Sequence, residues 1–128
     1  MAVGCSVRRI DDVTILDLSG RLGLGELLRF GPAQDLALSD AVRALAGEGH
    51  KKILLNLTEI KYVDSSGVGQ LVGTLTTARS LGVQLKLSNP AKQVLDLLKM
   101  TKLLGVFDVR DNEQIAIAAF SRGAAAGA

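Results

Sequence analysis

The chain has 128 residues, a length that suits one domain able to bury roughly two-thirds of the surface its unfolded form exposes. Hydrophobic residues at 48% and charged residues at 22% are ordinary globular usage and exclude a disordered chain. Fifteen basic residues against 13 acidic, with no long basic run, and 3% aromatics with no Trp exclude a polyanion-binding surface and a platform for stacking bases, so no nucleic-acid partner is expected.

Val3 to Ile10 and Val13 to Leu18 are short β-prone runs separated by Asp11-Asp12, a pair that turns the chain, and predict a hairpin. Gly20, Gly23, Gly25, Gly31 and Pro32 break any regular element up to Asp35, which predicts a long loop carrying apolar Leu27, Leu28 and Phe30. Leu38, Ala41, Val42 and Leu45 recur at helical spacing, with Ser39 or Asp40 near the start and Gly47 and Gly49 past the end. Ile53 to Leu57 is a continuous apolar run, as in a strand buried on both faces, and is expected to be central.

Val68, Leu71, Val72, Leu75 and Ala78 mark one face of a second helix that stops before Gly82. Val83 to Leu87 predicts a strand, and Asn89-Pro90 opens a third helix with Asn as cap and Val94, Leu95 and Leu98 facing inward. Val106 to Val109 predicts a last strand. Asp111 to Gln114 has capping-box spacing for a fourth helix running through Ile115 and Ala119. Residues 1–121 are therefore expected as a single domain and the Ala/Gly-rich residues 122–128 as a flexible tail. Two strands followed by alternating helices and strands make this an α/β (α+β) chain, with a mixed β-sheet of four to five strands covered by about four helices.

No window approaches the roughly 20 apolar residues of a membrane span, and the start carries no basic segment followed by an apolar stretch. Cys5 is the only cysteine, which excludes an internal disulfide. The expectation is a cytoplasmic protein without a membrane span. His50, the only histidine, has no Cys or second His with which to share a metal; a solvated loop residue and no metal site are expected. Gly20 to Gly25 matches neither a phosphate-binding loop nor the dinucleotide fingerprint, so no cofactor is expected. A hydrolase built on serine needs a base and a GxSxG elbow; the elbow is absent and His50 is the only imidazole, so the chain is not expected to be an enzyme.

The informative segment is Tyr62-Val63-Asp64-Ser65-Ser66-Gly67-Val68-Gly69. An acid and two small hydroxylated residues stand where a buried strand turns into a helix, where their side chains can cap free backbone N–H groups and Gly67 can admit close approach. On spacing alone, capping accounts for these residue types without any further role.

That run, with Ile53-Leu54-Leu55-Asn56-Leu57 before it and Leu81-Gly82-Val83 and Gln84-Leu85-Lys86-Leu87 after it, resembles the STAS domain of bacterial anti-sigma-factor antagonists. The resemblance extends to Val94-Leu95-Asp96-Leu97-Leu98 and Leu103-Leu104-Gly105-Val106-Phe107, about the last three-quarters of the domain. It implies helices on one side of the sheet and a phosphorylation site on the serine after the aspartate, here Ser65. Asp64, Ser66, Gly67 and Val68 would support the phosphosite and the partner surface. The implied partner is both anti-sigma factor and serine kinase; the unmodified form binds it and frees a sigma factor, and a serine phosphatase resets the cycle. The resemblance also implies an acidic residue just after the second strand; Gly20-Arg21-Leu22-Gly23 offers none, and Glu26 would stand in. The segment from Gly23 to Asp35 is longer than the usual connection. An alternative is a non-switching STAS scaffold in a stress-sensing or lipid-transport complex, where the hydroxyl only caps the helix.

Overall fold

The structure is a computed structural model that describes residues 3–22, 28–29, 35–36 and 38–126, with side chains described over 5–20 and 38–120. β1 (Val3–Ile10) and β2 (Val13–Leu22) form the expected hairpin, paired from Ile10 opposite Val13 to Gly4 opposite Ser19. Asp11 makes the turn at φ 55°, a left-handed conformation that Asp tolerates better than most residues. The apolar run Ile53–Leu57 becomes β5 (Lys52–Val63), which lies parallel between β2 and β6 (Gln84–Ser88). β7 (Val109–Arg110) is parallel to β6 on its far side.

These five strands are the mixed sheet expected from the sequence. Two stubs, β3 (Leu28–Arg29) and β4 (Asp35–Leu36), add to it beyond β1 and give the order β4-β3-β1-β2-β5-β6-β7. They correct the expectation of a plain loop from Gly23 to Asp35. The outer edge of β1 offers unpaired backbone groups, and β3 takes two of its residues, Val3 and Gly4, in parallel pairing.

Both central strands outrun their predicted ends, β2 to Leu22 and β5 to Val63. The cause is visible in the pairing. β6 accompanies β5 only as far as Asn56. Beyond that point β5 has one strand neighbour, and its apolar run gives way to a pattern with Ile60 buried and Thr58, Glu59, Lys61 and Tyr62 exposed. Two register shifts, between Asp17 and Ser19 and between Gly20 and Arg21 on β2, each set an extra β5 residue against that strand.

Helix α1 (Leu38–Gly47), α2 (Ser65–Ser80) and α3 (Lys92–Met100) cover one face of the sheet. Their buried Leu38, Val42, Leu71, Leu75, Val94 and Leu98 share one core with Leu16, Leu18, Leu55 and Leu87 of the strands. α4 (Glu113–Ala126) covers the opposite face, where Ala116 and Phe120 pack on Val13, Ile15 and Leu54. Helices therefore lie on both sides, which corrects the expectation of one side only. α4 also takes in most of the segment 122–128.

Three local expectations shift. Asn89 is not the cap of α3: it sits at φ 58° where the chain leaves β6, and Ala91 occupies the cap position with no side-chain hydrogen bond. Asn112, not Asp111, caps α4 by accepting the Ile115 N–H at 2.9 Å, so the helix turns Ala116 and Phe120 inward and leaves Ile115 47% exposed. The strand expected over Val106 to Val109 is confined to Val109–Arg110, because turns precede it and Phe107 is used to fill the core.

Candidate functional site at the strand to helix junction

At the end of β5 the backbone of Asp64 is still extended (φ −100°, ψ −175°), and the next residue begins α2. This geometry defines a helix N-cap. The Asp64 carboxylate accepts the N–H of Gly67 at 2.9 Å, while its carbonyl accepts the Val68 N–H at 2.9 Å and starts the helical ladder. Of the three residues that could cap, Asp64 performs the task. Ser65 and Ser66 occupy the first two helical positions, are exposed, and have no side-chain hydrogen-bond partner among the described residues. Gly67 and Val68 are buried beneath them and anchor the turn.

A hydroxyl in this place has three relevant properties. It is reachable from solvent. It stands on the end of a 16-residue helix whose free N–H groups and dipole favour negative charge. It also lies next to the Asp64 carboxylate, which already holds one of those N–H groups. His50 lies at the opposite end of β5, where Nδ1 and Thr14 Oγ1 share a hydrogen bond of 2.6 Å. His50 is half-buried there, a correction to the solvated loop residue expected, because buried Thr14 needs a partner for its hydroxyl. Burial, with Asp17 as a lesser cause, pushes the Cys5 thiol up to about 11, which leaves it un-ionised and unreactive near neutral pH. Among the described residues no group of His, Cys, Asp and Glu could hold a metal ion.

The paired ends of β2 and β5 set Arg21 beside Tyr62 and Leu22 beside Val63, so the end of β2 lies next to the junction. Glu26, the acidic stand-in, falls outside the described residues. Along the exposed side of α2, Gly69 and Gly73 follow Ser65 and Ser66; a Cβ at either would meet no atom within 4 Å. The sequence carried that signal, since glycine is unfavourable inside a helix, but the apolar periodicity alone does not use it.

A second polar cluster was not foreseeable from local patterns. Arg8 of β1 bonds Asp17 of β2 (Nη2 to Oδ1, 2.8 Å) and Glu113 of α4, and Asn56 donates to Asp17 at 2.7 Å. The Arg8 hydrogen bond chiefly, with help from Asn56, holds the Asp17 carboxyl below its ordinary range against the opposing effect of burial.

The family model for the STAS domain matches residues 5–116. The anti-sigma-B factor antagonist of Bacillus subtilis is 34% identical over 53 residues, 41% of this chain and 49% of that protein, so the matched stretch spans about half the length of the relative. An anti-sigma factor antagonist from Mycobacterium paratuberculosis is similar in structure, with a TM-score of 0.70 at 18% identity over 90% or more of each chain (91% and 92%). The Bacillus cell fate determinant SpoIIAA in its phosphorylated form gives a TM-score of 0.62 at 18% identity, covering 91% of this chain and 98% of that one. At such identities the structural likeness shows the fold. No helix among the described residues is long and apolar enough to cross a membrane. Because the family model covers residues 5–116, most of its length, the chain belongs to the STAS domain family.

Proposed function

We propose that this protein is an anti-sigma-factor antagonist, a non-enzymatic docking domain switched by phosphorylation of Ser65. The observation that carries the reading is the exposed Ser65 hydroxyl on the first turn of α2, without a partner among the described residues and relieved of capping duty by Asp64. Supporting it are the curated relative, named an anti-sigma-B factor antagonist, and the SpoIIAA relative, whose structure is of a phosphorylated form. The partner in this reading is a cytoplasmic anti-sigma factor that is also a serine kinase.

The chemistry belongs to the kinase. Ser65 Oγ attacks the γ-phosphorus of ATP, the new O–P bond forms as the bond to the bridging oxygen of ADP breaks, and the hydroxyl proton passes to the kinase's base. The product carries about −1.5 to −2 charges at neutral pH. On its own chain this charge is tolerated, because a helix N-terminus favours an anion by about 0.3–1 kcal/mol, and the Asp64 carboxylate opposes part of that gain. Against a docked partner it is not tolerated. Reducing affinity a hundredfold takes about 2.7 kcal/mol, a magnitude that a dianion pressed into a desolvated or acidic surface supplies. Gly69 and Gly73 add to the picture, since a helix face without side chains lets a flat partner surface approach next to the switch. A serine phosphatase removes the group by hydrolysis and restores binding.

The test is phosphorylation by the partner kinase with ATP and magnesium, followed by peptide mass spectrometry and binding assays. Modification at Ser65, unchanged binding by Ser65→Ala and weakened binding by Ser65→Glu are expected. Modification at another residue, or equal affinity of Ser65→Ala and Ser65→Glu, would reject the switch and favour a constitutive STAS scaffold.

A further inference from the structure

Asp64 supplies two acceptors to the start of α2, and both bear on the residue that follows it. Its carboxylate takes the Gly67 N–H at 2.9 Å, and its carbonyl takes the Val68 N–H at 2.9 Å. A side chain at a helix start reaches the N–H of the second or third residue after it. From Ser65 those residues are Gly67 and Val68, so Asp64 already holds both groups that an anion on Ser65 would seek. The N–H groups left in the first turn are those of Ser65 and Ser66 themselves.

Exchange of one cap for the other gains nothing. Asp64 has the extended backbone of an N-cap, which sets its carboxylate directly on the Gly67 N–H, whereas Ser65 is already helical. A phosphate that took the Gly67 N–H would leave the Asp64 carboxylate unbonded beside it, and the two negative groups would still repel.

Resting on the reading that Ser65 is phosphorylated, we infer that Asp64 is the positioning residue for the phosphate: it withholds the N–H groups of α2 and repels the new charge, so that the phosphate stands outward, towards a docked partner, instead of folding back onto its own helix. A helix start without such a carboxylate would take up the phosphate as its cap and mask part of its charge. The neighbouring carboxylate also disfavours the dianion relative to the monoanion, and so raises the pH at which the phosphate gains its second charge.

The experiment uses the ¹⁵N-labelled full chain with phosphoserine placed at position 65 during translation, in the wild-type background and with Asp64→Asn. No kinase is involved, so a partner that modifies another residue would reject the proposed function and leave this measurement standing. Asn caps a helix about as well as Asp and carries no charge, so the variant keeps the fold and loses only the repulsion. Phosphorus NMR between about pH 5 and 8 should give a second phosphate pKa about 0.5 lower in Asp64→Asn, the effect of two charges about 5–6 Å apart in water, and the difference should narrow in about 0.5 M salt. The other ionisable groups of the neighbouring elements, Glu59, Lys61 and Tyr62 of β5, Arg21 of β2 and Asp40 on the first turn of α1, are common to both proteins and cancel in the comparison. In the wild-type background the Gly67 amide proton should not move downfield as the phosphate ionises. A pKa that is equal in the two proteins, or higher in Asp64→Asn, overturns the proposal. A Gly67 amide proton that moves downfield with the phosphate titration in the wild-type background also overturns it, because the phosphate would then have replaced Asp64 as the cap.

Discussion

Glycine at positions 69 and 73 weakens α2, and the structure allows the amount to be worked out. Both lie inside a 16-residue helix with neither in a left-handed conformation, and a built Cβ at each meets no heavy atom within 4 Å. Replacement by Ala therefore adds no clash and no strain. It removes backbone freedom from the unfolded chain, a gain of about 0.8–1.0 kcal/mol per site on the helix-propensity scale. The two sites are one turn apart and both face solvent, so Gly69→Ala/Gly73→Ala should gain about 1.5–2 kcal/mol. With a urea m-value of about 2 kcal/mol/M, the midpoint of unfolding should rise by roughly 0.8–1 M at unchanged m. An unchanged or lowered midpoint would refute the reasoning, since it would mean that the chain's own packing requires hydrogen at these positions. Under the proposed function, the stabilised variant should also bind its partner kinase more weakly.

Asp64→Ala removes the cap of α2 and should lower stability by about 1 kcal/mol, while Asp64→Asn stays within a few tenths of wild type; equal stability of all three would transfer the cap to a serine. Phe120→Ala should cost about 3–5 kcal/mol by urea unfolding, because a fully buried ring is lost from a small core along with its contact to Lys86; a cost under about 1 kcal/mol would place α4 outside the cooperative unit. The Asp17 carboxyl titrates below its unfolded value, so its contribution is complete above a pH of about 4 and is lost as pH falls through that value towards the lower folded one. Asp17→Asn should accordingly be less stable than wild type at neutral pH, with the difference narrowing in acid; a difference constant from neutral pH down to acid would refute the assignment.

What the sequence disclosed follows from the range of the interactions involved. β5, α1 and α2 were legible because each is written in neighbouring residues: an apolar run, or Leu and Val at helical spacing with polar residues between. The Asp64–Ser65–Ser66–Gly67 junction was legible for the same reason, although the division of labour within it needed coordinates, since three side chains could all have capped. The end of β5 was missed because exposure there depends on where β6 stops, 25 residues along from Val63 at Ser88. The face covered by α4 was missed because Ala and Ile at every phase of that helix allow several orientations, and the choice is made by Asn112 as cap and by Phe120. Arg8, Asp17, Asn56 and Glu113 meet only after folding, so no window of the chain displays them as a group.

The two register shifts between β2 and β5 have an evolutionary corollary. Side chains alternate sides along a strand, so one supernumerary residue inverts everything beyond it and a pair restores the original sense. Asp17 faces the same way as Asn56 before the shifts, and Leu22 is again matched with Val63 after them. Losing a single residue between Thr58 and Lys61 would turn Val63 away from the core and swing the Asp64–Ser65 corner through half a turn. Length changes in this stretch should therefore survive among relatives only in even steps.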